Sequence, residues 1–204
     1  DFERAAREGA AQVADLDPAA KTLEGYLFPE TYALPRGTSA EELVSQMVGL
    51  FKRLYTDTMK AEADAAGLTT RQVVTLASLV EKETARRDER PLVAAVYRNR
   101  FTIGMGMQAD PTVIYALQEA GKYDGNLSRE DLQFDSPYNT YRYSGLPPGP
   151  IAAPGLAAIE AVLRPAPVGH LYFVSRNDGS HAFADTLAEH NRNVQEWQVR
   201  YFRE

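Results

Sequence analysis

Apolar residues recur at helical spacing through most of this sequence, one pair of short runs reads as strand, and the break at Gly104 and Gly106 calls for a short strand or turn. That order contains no β-α-β alternation, which excludes a doubly wound parallel sheet. It predicts a helix-dominated α+β domain with one small hairpin. Residues 2–16 place Phe2, Ala5, Ala6, Val13 and Leu16 at near-helical spacing. Ser39-Ala40-Glu41-Glu42 fits a capping box, and Leu43, Met47, Leu50, Phe51 and Leu54 follow as one stripe. The expected helix runs to about Ala66, with Gly67 past its end. Thr69 to Gln72 can cap the next helix, whose stripe is Val73, Leu76, Ala77, Val80 and Thr84. Asp88 reads as the cap of a third, with Pro91 in its first turn and Val93, Val96 and Tyr97 inward. Asp110-Pro111 opens another, ending at Gly121, and Ser128 starts a short helical piece. Pro154 begins a helix to about Leu163, and Thr186 caps the last one. Between these, residues 171–175 and 181–184 flank Asn177-Asp178-Gly179-Ser180, a hairpin signal.

Two stretches resist both periods. Residues 23–35, with Gly25, Pro29 and Pro35, read as an ordered extended segment. Residues 134–154 read as a long loop rich in Tyr, Asn, Pro and Gly, and a loop of that length in a compact domain is usually functional or disordered. Its Tyr138, Tyr141 and Tyr143 argue for order. The chain of 204 residues suits one domain, and no linker splits it. With Lys+Arg 22 against Asp+Glu 28, the net charge of -6 argues against a nucleic-acid partner. The absence of Cys removes disulfides, thiolate nucleophiles and Cys-bound zinc. No apolar run reaches the roughly 18 residues of a membrane span, and the first residues form no signal peptide. A start at Asp1 rather than Met suggests an excised piece of a longer protein.

No nucleophile elbow, phosphate loop, dinucleotide fingerprint or metal-binding His pair is present. His181 and His190 flank a helix start and read as hairpin-to-helix contacts, not ligands. The informative run is residues 77–84, ASLVEKET, where two carboxylates sit in the most apolar helix. Two positions along a helix turn the side chain by roughly 200°, so Glu81 and Glu83 leave opposite flanks and cannot face each other across a substrate. Glu83 shares its flank with Leu76, Leu79 and Val80, where desolvation raises a carboxyl pKa and suits a general acid. Glu81 shares a face with Ala77, Ser78 and Ala85 and is more open to water. On spacing alone, the commoner reading is that both are surface carboxylates paired with Lys82, Arg86 or Arg87. A second set, Asn99-Arg100, Gln108, Asp110 to Thr112 and residues 138–141, offers amides, hydroxyls and flat rings of the kind that suit a sugar. Taken singly, Asp110 reads as a helix cap and the tyrosines as loop anchors.

Taken together, these motifs resemble the YceG-like endolytic murein transglycosylase family. The resemblance rests on residues 24–32 (EGYLFPETY), 76–84 (LASLVEKET), Asn99-Arg100, 103–105 (IGM), 108–115 (QADPTVIY), 138–141 (YNTY), 145–152 (GLPPGPIA) and 171–174 (LYFV), in that order. It implies that Glu83, followed by the hydroxyl residue Thr84, is catalytic, with Glu81 as the lesser competitor. It implies cleavage of the β-1,4 bond between N-acetylmuramic acid and N-acetylglucosamine without water, leaving a 1,6-anhydro end, with no metal or organic cofactor. Glu81, Asn99, Gln108, Asp110, Thr112, Tyr138, Asn139, Thr140 and Tyr141 are then candidates for glycan contact or support of the acid.

The resemblance further implies a parent held by a single span in the cytoplasmic membrane, its catalytic domain facing the wall. Peptidoglycan strands would be its substrate, and peptidoglycan synthases would work nearby. Residues 1–22 would be a helical remnant of the preceding region, and 23–204 the catalytic domain. The acidic balance favours recognition by shape and hydrogen bonds over an electrostatic grip. Two other readings compete: a hydrolase with Glu83 as acid and Asp110 as base, and a glycan-binding module without activity.

Overall fold

A computed structural model describes residues 1–200. Helix α4 (Thr70–Glu83) is the axle of the fold. Every residue from Val73 to Val80 is buried, so this helix is enclosed all round, not along one stripe. Thr69 and Gln72 close its N-terminus as the expected capping box, each side chain accepting from the other's backbone N–H. Helices α5 (Arg90–Thr102) and α7 (Leu156–Leu163) pack against it and against each other, with α3 (Asp57–Ala65) and α6 (Asp110–Glu119) completing the ring.

The long helix expected over 39–66 is two helices, α2 (Ala40–Leu54) and α3. Tyr55 leaves helical geometry with ψ 79°, and Thr56 caps α3 by accepting from the Met59 N–H at 3.3 Å. A local cap here overrides a periodicity that continues through it. The N-terminal helix α1 (Phe2–Glu8) likewise stops short and tightens into a 3₁₀ turn over Gly9–Val13. A Cβ at Gly9 would lie 2.6 Å from Leu23 Cδ1, so a larger residue there would have to displace that buried side chain. Neither Asp88 nor Asp110 caps a helix. Glu89 precedes α5, and Asp110 is already the first residue of α6. The piece near Ser128 is only a three-residue 3₁₀ turn, Asp131–Gln133.

The hairpin is present as expected. Strands β1 (Tyr172–Ser175) and β2 (His181–Ala184) pair antiparallel, with Phe173 opposite Phe183 and Ser175 opposite His181. Helix α8 (Leu187–Val194), capped by Thr186 and Glu189, packs on the hairpin, and β1 rests against α5.

The irregular loop 134–154 is fastened along α4 from end to end. Arg71 donates through Nε and Nη2 to the Pro148 carbonyl (2.9 and 2.7 Å), the Ile151 N–H reaches Ser78 Oγ (3.1 Å), and the Gly155 N–H reaches Glu81 Oε2 (3.1 Å). The extended segment 23–35 wedges in beside it. At Gly25, φ is +86°, and a Cβ would lie 2.5 Å from Pro150 Cγ and 2.8 Å from Val74 Cγ1. The first 22 residues are also tied in. Val13 is fully buried, and Asp17, 2% exposed, accepts from the Tyr26 hydroxyl (2.7 Å) and Arg71 Nη1 (2.6 Å). Among the described residues no helix is long and apolar enough to cross a membrane.

Candidate active site

Glu83 is the last residue of α4, and Thr84 turns the chain into extended geometry (φ -140°, ψ 131°). Helix α4 therefore delivers its final carboxyl to the edge of the core. Helix α5 faces it with Tyr97, whose hydroxyl donates to Glu83 Oε2 at 3.0 Å. Around this carboxyl opens a cleft of about 260 Å³, walled by α5, the start of α6, the loop at Tyr141 and the hairpin.

Burial pushes the Glu83 pKa up to about 7, with the nearby Asp110 charge adding to the rise. The Tyr97 hydrogen bond, His181 and Arg100 act in the opposite sense and keep the rise from going further. The position on α4 works in the same direction as burial, because a helix C-terminus disfavours negative charge. The result is one carboxyl that is half protonated near neutral pH, at the mouth of a polar cleft.

Arg100 is 7% exposed and works as a strut. Its Nε donates to the Leu171 carbonyl and its Nη1 to the Met107 carbonyl, both at 2.6 Å. These bonds hold the hairpin and the segment before α6 at fixed distance from α5. Gln108 sits in that segment with φ +47°, a left-handed backbone uncommon outside glycine. Its side chain lines the cleft beside Asp110, whose carboxylate accepts from the Tyr141 hydroxyl. Desolvation and this bond together push the Tyr141 pKa upward, so the phenol keeps its proton.

Of the candidates read from sequence, Gln108, Asp110 and Tyr141 meet Glu83 in the cleft. The others do not line it. Glu81 is held by Arg90 (2.8 Å) and the Gly155 N–H, a structural anchor for the end of loop 134–154, the strap along α4, and none of Lys82, Arg86 or Arg87 pairs with it. Asn99 spends its amide on the Val168 and His170 carbonyls. Thr112 and Thr140 are buried and bond each other through Oγ1 at 2.9 Å, and Thr140 Oγ1 also accepts from the Ala109 N–H. Asn139, fully buried, donates to the Leu132 and Phe134 carbonyls and accepts from the Tyr141 N–H. These three shape the wall from behind. Tyr138 packs against Tyr115 with the rings tilted at 47° (centroids 4.8 Å apart) and faces a separate hollow of about 670 Å³.

Sequence reading missed Tyr97 and the hairpin residues Phe173 to Ser175 as cleft residues, whereas Arg100, read with Asn99 in the sugar-suited set, does line the cleft. Sequence reading also took His181 for a hairpin-to-helix contact. His190 does make such a contact, stacking on Tyr172 of β1. His181 also joins the hairpin to a helix, through Glu89 at the start of α5, and in addition it lines the cleft.

The sequence profile of the YceG-like family matches residues 2–196. An endolytic murein transglycosylase of Bacillus subtilis is 41% identical over 171 residues, covering 83% of this chain and 46% of that protein. The enzyme of the same name from Streptococcus pneumoniae R6 is 38% identical over 183 residues, 85% of this chain and 32% of its own length. The chain thus spans less than half of these relatives. A crystal structure of a yceG-like protein from Listeria monocytogenes superposes with a TM-score of 0.81 at 33% identity, covering 94% of this chain and 66% of that one. A profile matched along nearly the whole sequence and a shared fold at this level of identity make the chain a member of the YceG-like family.

Proposed function

We propose that this chain is the catalytic part of a murein lytic transglycosylase that cuts the β-1,4 bond between N-acetylmuramic acid and N-acetylglucosamine within a glycan strand, leaving a 1,6-anhydro end. The observation that carries the reading is the Glu83 carboxyl, poised near pH 7 at the edge of a cleft rich in hydrogen-bonding groups. The relatives named endolytic murein transglycosylase support the substrate class.

In this reading protonated Glu83 gives its proton to the glycosidic oxygen as positive charge develops at the muramic C1. The sugar's own N-acetyl carbonyl can share that charge, so no protein nucleophile is needed. The C6 hydroxyl then attacks C1 from within the same sugar, an intramolecular closure helped by proximity. Ionised Glu83 can take up the C6 proton, and one carboxyl serves both steps. Gln108, Asp110 and Tyr141 are proposed to contact the glycan. A membrane anchor and neighbouring synthases belong to the proposed parent protein.

Digestion of uncrosslinked glycan strands, read by mass spectrometry, tests this. Products lighter by one water than their hydrolytic counterparts, lost in Glu83→Gln, are expected. Reducing ends would favour hydrolysis with Asp110 as base. Unchanged digestion by Glu83→Gln would remove Glu83 as the acid, and glycan binding without cleavage by the unmutated chain would leave a binding module.

A further inference from the structure

One buried acid beside the cleft has no part in that scheme. Glu89, 7% exposed in the turn before α5, spends both oxygens on a single residue of β2. Its Oε1 accepts from the His181 backbone N–H at 3.0 Å, and its Oε2 lies 2.7 Å from His181 Nδ1. A carboxylate only accepts, so Nδ1 carries a hydrogen, and whenever the ring is neutral its lone pair is on Nε2. Among the described residues Nε2 bonds no protein group, and it is not one of the buried unpaired atoms. The ring packs edge-on against Phe173 with centroids 5.3 Å apart, and lines the same cleft as Glu83. A base aimed by a carboxylate behind it is the arrangement that activates hydroxyls in many enzymes.

We propose that His181 is a second catalytic residue, the acceptor of the muramic C6 hydroxyl proton, with Glu89 as its positioning residue. The proposal rests on the lytic reading above and changes its second half. Glu83 gives its proton to the glycosidic oxygen as the bond to C1 breaks, and the leaving sugar departs as an alcohol. The C6 oxygen bonds to C1 while its proton passes to Nε2. The imidazolium then returns a proton to the Glu83 carboxylate, and both groups are reset with no redox change.

The titratable and charged groups that line the cleft with His181 are Glu83 from α4, Tyr97 and Arg100 from α5, Asp110 from α6 and Tyr141 from the loop, while Glu89 bonds the ring from the turn before α5 and Arg86 pairs with Glu89. Arg86 Nε stands 3.8 Å from Glu89 Oε1, so it meets the positioning carboxylate and not the ring.

The test is the pH dependence of cleavage of uncrosslinked glycan strands by the unmutated chain, His181→Gln and Glu89→Gln, with thermal melting to confirm folding. One residue acting as acid and then base gives a profile that falls only on the alkaline side. A separate base adds an acid limb and makes the profile a bell. We expect a bell for the unmutated chain. In His181→Gln the acid limb should vanish while an alkaline limb remains, moved to higher pH because His181 no longer lowers the Glu83 pKa, with kcat lowered at least about 100-fold and KM within about twofold. In Glu89→Gln, which keeps the ring, the acid limb should move. A profile without an acid limb, or His181→Gln with that limb intact or kcat within about threefold of the unmutated chain, would overturn the proposal. If His181→Gln fails to fold, the position of the acid limb in Glu89→Gln decides. Failure of the lytic reading itself shows separately, as reducing ends or an active Glu83→Gln.

Discussion

Two neighbours shift the proton affinity of Glu83 in opposite senses and can be varied one at a time. With a pKa of about 7 in the folded chain, the protonated form that the proposed first step requires is lost as pH rises past 7, so kcat/KM should fall tenfold per unit there. Tyr97→Phe removes a hydrogen bond that favours the charged carboxylate, and the alkaline limb should move to higher pH. Asp110→Asn removes a neighbouring negative charge, and the limb should move lower. Opposite shifts in rate profiles of the two variants would check the assignment, and equal or absent shifts would defeat it. The same raised pKa has a cost in stability. Its contribution is fully present below about pH 4.5 and lost as pH climbs through 7, because the folded state must then ionise a buried group. Glu83→Gln should therefore be more stable than the unmutated chain at pH 8, by up to about 3 kcal/mol less what solvent at the cleft mouth screens. Near pH 4 the two should melt alike. At Gln108 the strain is in the backbone. Gln108→Gly relieves a φ of +47° and should leave stability unchanged or raise it by about 1 kcal/mol, yet lower activity through the lost amide.

At the scale of elements, α4 and its strap carry the organisation. Gly25→Ala would place a methyl into Pro150 and Val74 at a left-handed backbone, and should cost about 2–4 kcal/mol by denaturant melting. The elements were largely legible because their caps are local chemistry. Ser39, Thr69 and Thr186 each sit three residues before a Glu or Gln, and each forms the expected box. The break at Thr56 was missed because the stripe continues through it, although Thr56-Asp57 is itself a cap signal. The site was legible only where its residues are neighbours in sequence. Glu83 stood out as a carboxylate on an apolar helix, but only the motif resemblance turned it from a surface residue into a catalytic candidate, and Gln108 and Asp110 came from a set of polar residues suited to a sugar. His181 and Tyr97 had no such signal. They reach the cleft because the hairpin packs on α5, a contact between residues about 80 apart that no periodicity encodes. Glu81 misled for the same reason: its partners, Arg90 and Gly155, are set by tertiary packing.

The whole molecule is held at one end by Asp17. Its carboxylate, 2% exposed, joins the first segment to Tyr26 and Arg71, and Arg71 in turn holds the strap at Pro148. Deleting residues 1–22 removes that carboxylate and the buried Val13 together, and should destabilise the remaining chain by about 3 kcal/mol or more. An unchanged melting temperature would show that this segment is an appendage. The strap has a consequence of its own for solvent exchange. The Ile151 amide is bonded to the side-chain hydroxyl of Ser78 on the enclosed helix α4, not to a backbone carbonyl of a strand or helix. Its deuterium uptake should accordingly be as slow as that of the α4 backbone, so that a stretch with no regular structure opens only when the whole protein does.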